Sequence, residues 1–165
     1  MLDRSDEIIS LTKKYVAHNY EPIPVVVTEA KGVWIKDLEG KQYLDMIGSG
    51  SAMTCGHRHQ RIINALKRQA EQVTLTSRLL YNDQLLPYSK KLAEMTGKDM
   101  ILPMNTGTDA AETAIKCARR WAYNIKNVPE NEAEIIVCAG SFHGSTITTV
   151  SSSTNEECFK DFKVF

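Results

Sequence analysis

The sequence predicts an α/β protein built on a mainly parallel sheet with flanking helices. Two short apolar segments, 100–104 and 134–139, are each typical of a buried strand, and amphipathic helical patterns alternate with them. Such alternation is typical of parallel sheets whose two faces are both covered. With 165 residues, of which 42% are hydrophobic and 24% charged, the chain has the length and composition of one ordinary globular domain.

The first fifty residues are predicted to form a helix followed by a β-hairpin. Apolar side chains recur at helical spacing over residues 6–18, and the prolines at 22 and 24 stop that helix. After an extended stretch, the segments 32–37 and 41–46 indicate two strands joined by a short loop. We therefore treat residues 1–50 as an N-terminal helix and β-hairpin segment.

Residues 51–165 are predicted to hold three helices and the two apolar strands. Helical periodicity marks the segments 62–73 and 85–95, and Gly97 is placed to end the second of these helices. A third, alanine-rich helix is predicted to begin after the segment Asn105-Thr106-Gly107-Thr108. The residues after 150 carry no evident helix or strand pattern.

Charge, cysteine spacing and hydropathy exclude several classes of protein. Lys and Arg together number 20, as do Asp and Glu, so no strong field favours nucleic acid or an anionic membrane. No apolar run approaches the length of a membrane span. The N-terminus carries early acids and no apolar signal region. Four widely spaced cysteines indicate reduced thiols, and hence a cytoplasmic protein; they are Cys55, Cys117, Cys138 and Cys158.

The turn before the third helix is the strongest candidate for binding an anion. A glycine turn that feeds a helix N-terminus leaves several backbone N–H groups unpaired, and the helix dipole is positive there. A phosphate could bind at this segment, Asn105-Thr106-Gly107-Thr108-Asp109. The alternative is an ordinary capped helix start, with Thr106 or Thr108 as the cap.

Two further clusters have both a chemical and a plain structural interpretation. Cys55, His57 and His59 are ligand types that suit zinc, but their spacing is wrong for a closed site, and a polar turn before a helix fits better. Phe142 and His143 lie in a loop between two glycines, and such a loop by itself indicates no function. Its position in the fold gives it a possible role. They follow a predicted strand at its C-terminal end, where α/β sheets bind ligands.

An ordered set of short segments resembles one known family. These segments are 17–24 (AHNYEPIP), 56–59 (GHRH), 74–78 (TLTSR), 103–107 (PMNTG) and 151–154 (SSST). In this order the chain, from about residue 8 to its end, resembles the ornithine aminotransferases, which are class III, fold-type-I enzymes dependent on pyridoxal phosphate. The resemblance implies an N-terminal segment plus the first part of the large, cofactor-binding domain, which is incomplete here.

The family resemblance implies an activity, a cofactor and roles for several residues. The activity is amino transfer from the ornithine side chain to 2-oxoglutarate, by an obligate homodimer holding pyridoxal 5'-phosphate. By positional match, the N–H groups of Gly107 and Thr108 hold the cofactor phosphate. Phe142 packs on the pyridine ring with His143 beside it, and Tyr20 contacts the substrate.

Several residues depart from the family pattern at positions that bind or select the substrate. Ser145 stands where the family has an arginine that grips the substrate carboxylate, and a serine cannot replace a bidentate charged clamp. Gly50 stands in place of an aromatic residue that helps select ornithine. Thr54-Cys55 replaces an Asn-Gln pair, and Gln60 replaces a proline.

No lysine in the chain matches the family's Schiff-base lysine, and the aspartate that pairs the pyridine nitrogen also has no match. Three hypotheses follow. The first is a catalytically incompetent portion of an ornithine-aminotransferase-like transaminase. The second is a non-catalytic module that binds the cofactor or a partner. The third is part of another class III transaminase with a different substrate.

Overall fold

The computed structural model of the chain describes residues 4–162, which divide into two compact units, Met1–Leu80 and Tyr81–Phe165. We call them unit 1 and unit 2 and describe each by itself. The domain boundary predicted after residue 50, between the N-terminal segment and the large domain, stays a prediction. Among residues 4–162, no helix combines the length and the apolar character needed to cross a membrane.

Unit 1 holds a three-stranded antiparallel sheet in the order β1-β2-β3. Its register pairs Lys31 with Trp34 and Ile35 with Tyr43, which confirms the predicted hairpin. The predicted N-terminal helix is confirmed by a helix over Arg4–Tyr15. The elements of unit 1 are α1 (Arg4–Tyr15), β1 (Val27–Lys31), β2 (Trp34–Asp37), β3 (Gln42–Leu44), α2 (Gly48–Ser51) and α3 (Gln60–Ala70). The predicted helix over 62–73 corresponds to α3.

A buried carboxylate closes the β2–β3 hairpin. Asp37 accepts hydrogen bonds from the Lys41 N–H and the Tyr43 hydroxyl, each at 2.8 Å. Burial alone would raise the pKa of Asp37, but these hydrogen bonds outweigh it and lower the pKa below the ordinary value. The hairpin turn is therefore fixed by a charged side chain.

Unit 2 is helical where it has regular structure. Its helices are α4 (Leu85–Thr96), α5 (Gly107–Asn124), α6 (Ile147–Ser151) and α7 (Glu156–Phe159). The predicted helices over 85–95 and after residue 106 are confirmed. Gly97 ends α4 in the left-handed conformation at φ 65°, as expected of a glycine cap. The short helices α6 and α7 were not predicted.

The two apolar segments expected to be strands of a parallel sheet form none within residues 4–162. Segments 100–104 and 134–139 are outside the regular elements. Residues 100–104 and 134–137 make no hydrogen bond to other backbone groups there. The physical reason is that a strand exists only with a neighbour, and parallel neighbours come from distant parts of a chain. The apolar pattern of these segments does not show whether a neighbouring strand is available to pair with them.

Buried side chains in the described residues concentrate in α6. Val150 is the buried hydrophobic residue there, and Thr149 beside it is fully buried. Many larger apolar side chains remain exposed, Ile136 and Leu79 almost completely. Neither unit encloses a large apolar core in the part of the chain that is described.

Candidate functional site

The N-terminus of α5 presents two free backbone donors. Thr106 is extended, with φ −139° and ψ 167°, and its Oγ accepts a hydrogen bond from the Asp109 N–H at 3.1 Å. The Thr106 carbonyl accepts one from the Ala110 N–H. No partner within residues 4–162 is found for the N–H groups of Gly107 and Thr108. They lie at the positive end of an 18-residue helix, where an anion is stabilised.

Space above these donors is open. A Cβ atom built on Gly107 would meet nothing within 4 Å, so a phosphate group can approach the backbone closely. Asp109 lies in the first turn of the helix, and its carboxylate both stabilises the helix dipole and opposes a second anion. The donor set therefore fits a phosphate held mainly by backbone N–H groups.

A glycine brings the loop after residue 140 against this helix end. Gly144 is buried at φ 127°, and a Cβ there would lie 2.1 Å from the Thr108 Oγ and 2.8 Å from its Cβ. Two residues later, the Thr146 hydroxyl donates to the Glu112 carboxylate at 2.5 Å. Thr146 and Thr149 also form a capping box that starts α6. Two segments about 36 residues apart in sequence are thus joined at one place.

The predicted site residues fall into two groups. In unit 2, Phe142, His143 and Ser145 lie in the loop whose Gly144 closely approaches Thr108. Phe142 is 72% exposed and His143 half-buried, immediately before the close approach at Gly144. Ser145 is exposed, between two residues that contact α5. Unit 1 holds the other predicted positions, Tyr20 and Gly50.

Tyr20 is 82% exposed beside an apolar groove of about 450 Å³ in unit 1, formed by α1 and the proline segment 22–24. Gly50 lies in α2, which is a turn of left-handed sense. All four of its residues have positive φ: Gly48 53°, Ser49 52°, Gly50 62° and Ser51 73°. Left-handed backbone disfavours side chains, so the small residues of this turn match its conformation.

A carboxylate–imidazole pair that the sequence did not disclose holds this turn. One Asp45 oxygen accepts the N–H groups of Ile47 and Gly48, and the other lies 2.7 Å from Nε2 of His57. The backbone of His57 pairs with Gly32 through two hydrogen bonds. The N–H of Gly48, and then His57, lower the pKa of Asp45.

His57 is a metal-ligand type by sequence, but in the structure its ring contacts the Asp45 carboxylate. Residues 4–162 contain no group of three or more His, Cys, Asp or Glu side chains that could hold a metal ion. His59 stands just before α3, so the polar turn before a helix is confirmed. The only sequence signal for the pair was an aspartate three residues before a glycine.

Comparison with known families bears directly on this geometry. The family described as aminotransferase class-III matches residues 15–165, which include the α5 turn and the Gly144 loop. The chain belongs to the class III aminotransferase family. The ornithine aminotransferase of Brevibacillus brevis is 56% identical over 99% of this chain, and that of Bacillus subtilis 55% over 98%. The resemblance to ornithine aminotransferases is therefore confirmed.

Solved structures confirm the fold-type-I assignment of this class III aminotransferase chain. Ornithine aminotransferase from Toxoplasma gondii superimposes on 99% of the chain with a TM-score of 0.93 and 41% identity. Acetylornithine aminotransferase from Elizabethkingia anophelis covers 88% with a TM-score of 0.80 and 46% identity. Enzymes of this class use pyridoxal phosphate, and one Toxoplasma structure contains it at partial occupancy in the active site.

The chain spans only part of these relatives. It covers 41% of the Brevibacillus protein, 40% of the Bacillus subtilis protein and 39% of the Toxoplasma chain. Residues 4–162 do not form the parallel sheet predicted for the fold. The matched part is the N-terminal portion of the fold-type-I architecture.

Proposed function

We propose that this chain supplies the cofactor-phosphate site, and part of the substrate side, of an ornithine-aminotransferase-like transaminase. The observation that carries the proposal is the pair of unpartnered N–H groups at Gly107 and Thr108, together with the loop that Gly144 holds against Thr108. The match to class III aminotransferases over residues 15–165 supports the choice of ligand.

Each residue of the site has a role that its geometry allows. Gly107 and Thr108 donate their backbone N–H groups to the phosphate of pyridoxal phosphate. Phe142 is exposed and free to pack on a ring, and His143 lies next to it. When bound, the cofactor supplies the electron sink for amino transfer, and the protein supplies grip and orientation. The Thr146–Glu112 hydrogen bond keeps the loop in place during binding.

The reaction proposed for the complete enzyme moves the side-chain amine of ornithine to 2-oxoglutarate in a cytoplasmic homodimer. Tyr20 is the proposed substrate contact. Two positions favour a second candidate, a class III transaminase with another substrate. Ser145 is exposed and uncharged where a carboxylate clamp is expected, and Gly50 has no side chain. An amine donor without a carboxylate at that point would lose less from Ser145 than ornithine does.

The isolated chain is proposed to bind the cofactor phosphate without catalysing transfer, because no lysine in it matches the one that the family uses. Without a positioned amine there is neither a covalent link to the cofactor nor a proton shuttle at the substrate carbon. We expect no turnover of ornithine with 2-oxoglutarate. Turnover that depends on a lysine of this chain would overturn this part of the proposal.

Substitution at Gly107 tests the phosphate site directly. Gly107 is the first residue of α5, where proline is tolerated, and Thr106 before it already has the extended backbone that precedes proline. Gly107→Pro therefore removes one donor and keeps the helix, while Gly107→Ala keeps both. We would titrate each variant with pyridoxal phosphate, following tryptophan fluorescence and visible absorbance, with inorganic phosphate as competitor.

The expected result is saturable binding by the wild type and Gly107→Ala, displaced by phosphate and lost in Gly107→Pro. A chain with no saturable binding would contradict the proposal. So would binding that phosphate does not displace, since that result indicates reaction with surface lysines. Binding without turnover is also what the alternative, a non-catalytic cofactor-binding module, requires. Co-purification with an active transaminase distinguishes a portion of a transaminase from a non-catalytic module.

A further inference from the structure

We propose that Glu112 is a positioning residue for the cofactor ring. Its carboxylate fixes the loop of residues 140–146 against α5, so that Phe142 and His143 keep a set place relative to the phosphate donors of that helix. A chain without this carboxylate binds phosphate as before but loses affinity for the ring of the cofactor. This inference rests on the proposed function, because it needs the cofactor phosphate at the N-terminus of α5.

Two contacts hold the loop against one face of α5. Thr108 and Glu112 are four residues apart in the helix, so their side chains lie on the same face, one turn apart. The loop supplies Gly144 for the first contact and Thr146, two residues further on, for the second. One helical turn rises about 5.4 Å, and two residues of chain span up to about 7 Å. A single short stretch of loop can therefore make both contacts.

The Glu112 carboxylate determines which way the Thr146 hydroxyl points. An ionised carboxylate can only accept hydrogen bonds, so the hydroxyl donates its proton to Glu112 at 2.5 Å. The lone pairs of Thr146 Oγ are then left for Thr149, whose N–H nitrogen lies 3.4 Å away and whose hydroxyl oxygen lies 2.8 Å away. Thr149 is fully buried, and its Oγ accepts the Thr146 N–H at 3.0 Å. Glu112 thus completes the network that begins α6.

The Glu112 carboxylate is not engaged by a cation. Glu112 is half-buried, and no Lys, Arg or His among residues 4–162 forms an ion pair with it. Lys116 follows one turn later, at the spacing that favours such pairs on a helix, yet the two side chains do not pair. The contact that the carboxylate makes is the one to the loop.

The start of the loop is held by a different part of unit 2. The Gly140 N–H donates to the Thr154 Oγ at 2.6 Å, in the segment that follows α6. This contact does not involve Glu112. Phe142 and His143 lie between the two ends of the loop, so their distance from the phosphate donors depends on the Glu112 contact. Removing the carboxylate should therefore release these two residues from α5 without unfolding unit 2.

The experiment compares a ligand that carries the cofactor ring with one that does not. Pyridoxamine 5'-phosphate has the ring and the phosphate but no aldehyde, so it cannot attach to surface lysines. Inorganic phosphate has the phosphate alone. We would titrate the 165-residue chain with pyridoxamine phosphate by calorimetry, and measure the affinity for inorganic phosphate by displacement. Helical circular dichroism reports whether each variant is folded.

Substitutions at Glu112 should separate the two ligands. Glu112→Ala should weaken pyridoxamine phosphate at least about tenfold and change phosphate affinity by less than about twofold, because only the ring contacts are displaced. Glu112→Gln keeps an acceptor oxygen at the same reach and should restore most of the ring affinity. Lys116→Ala, on the next turn of α5, is the matched control and should bind both ligands like the wild type.

The loop side of the contact gives a second, independent variant. Thr146→Val removes the hydroxyl donor and should produce the same loss as Glu112→Ala. The double variant should bind pyridoxamine phosphate no more weakly than either single variant, because both remove one hydrogen bond. If Glu112→Ala loses its helical signal, the same criteria apply to Thr146→Val.

The outcomes separate this inference from the proposed function. A wild-type chain without saturable binding of pyridoxamine phosphate would overturn the phosphate site and the positioning role together. If the wild type binds and Glu112→Ala binds equally well, the phosphate site stands and the positioning role fails. Equal losses for both ligands would also overturn that role, since they indicate damage to α5. Glu112→Gln as weak as Glu112→Ala would exclude the hydrogen bond to Thr146 as the cause.

Discussion

In unit 1 the strands pair with neighbours close in sequence, whereas in unit 2 the extended apolar segments have no strand partner among the described residues. In unit 1, three strands within residues 27–44 pair through short turns, and Asp45, His57 and Gly32 tie the next loop to the sheet. In unit 2, residues 100–104 and 134–137 find no backbone partner within the described chain, although both are apolar. Antiparallel neighbours can be joined by a two-residue turn, whereas parallel neighbours need a long crossover.

The difference between the units lies in the sequence distance over which their contacts close. Hairpins and helix caps close with groups a few residues away, so they form within residues 4–162. A parallel sheet closes with segments far away in sequence, and residues 100–104 and 134–137 have no such partner among the described residues. The α5 turn and the Gly144 loop are an intermediate case, because one pair of close contacts joins them across about 36 residues. The following substitutions test how firmly each contact holds.

The largest effect is expected for Gly144→Ala. The new Cβ would lie 2.1 Å from Oγ and 2.8 Å from Cβ of Thr108, so rotating the threonine cannot relieve the clash. Overpacking and the positive φ together should destabilise unit 2 by roughly 4 kcal/mol. The measurement is urea unfolding followed by Trp121 fluorescence in a Trp34→Phe background. Gly107→Ala, which meets nothing within 4 Å, should change stability little.

A smaller effect is expected in unit 1 for Gly56→Ala. Its Cβ would lie 2.8 Å from the Gly32 carbonyl oxygen, a backbone atom that the His57 pairing holds in place. We expect a loss of about 3 kcal/mol, measured through Trp34 in a Trp121→Phe background. Gly40→Ala is the control, because its φ is also positive but its nearest neighbour is 3.7 Å away. If both variants lose equal stability, the close approach to Gly32 contributes nothing.

Local signals in the sequence predicted much of this structure. Helical periodicity located α1, α3, α4 and α5, and glycine chemistry located the end of α4. The strands predicted at 100–104 and 134–139 were wrong, because an apolar pattern indicates burial in a fold and does not show that a neighbouring strand is available among residues 4–162. The Asp45–His57 pair lay beyond prediction, since a contact across 12 residues depends on how the hairpin folds. Tyr20 remains a prediction as a substrate contact, and so does the loss of the family's aromatic residue at Gly50.

The N-cap of α5 should have a modest effect. Thr106→Ala removes the acceptor of the Asp109 N–H and should destabilise unit 2 by about 1 kcal/mol. Thr106→Ser keeps the hydroxyl and should retain most of that stability. The same Trp121 unfolding assay measures both variants. Equal stability of the alanine and serine variants would show that the cap hydrogen bond does not hold the helix start.

The smallest expected effect is a loss of unit 1 stability that is confined to low pH. Asp37 and Asp45 both have folded-state pKa values below the ordinary 3.8, so the unfolded chain takes up their protons first as pH falls. Their stabilisation is therefore complete near neutral pH and is lost as pH drops below about 4. We expect the urea midpoint of the Trp121→Phe chain to fall on going from about pH 6 to about pH 3.

Adding Asp45→Asn should lower the neutral midpoint and flatten this fall, because the hydrogen bonds from Ile47, Gly48 and His57 then no longer depend on a titrating carboxylate. A fall of unchanged steepness in that variant would assign the acid sensitivity to other groups.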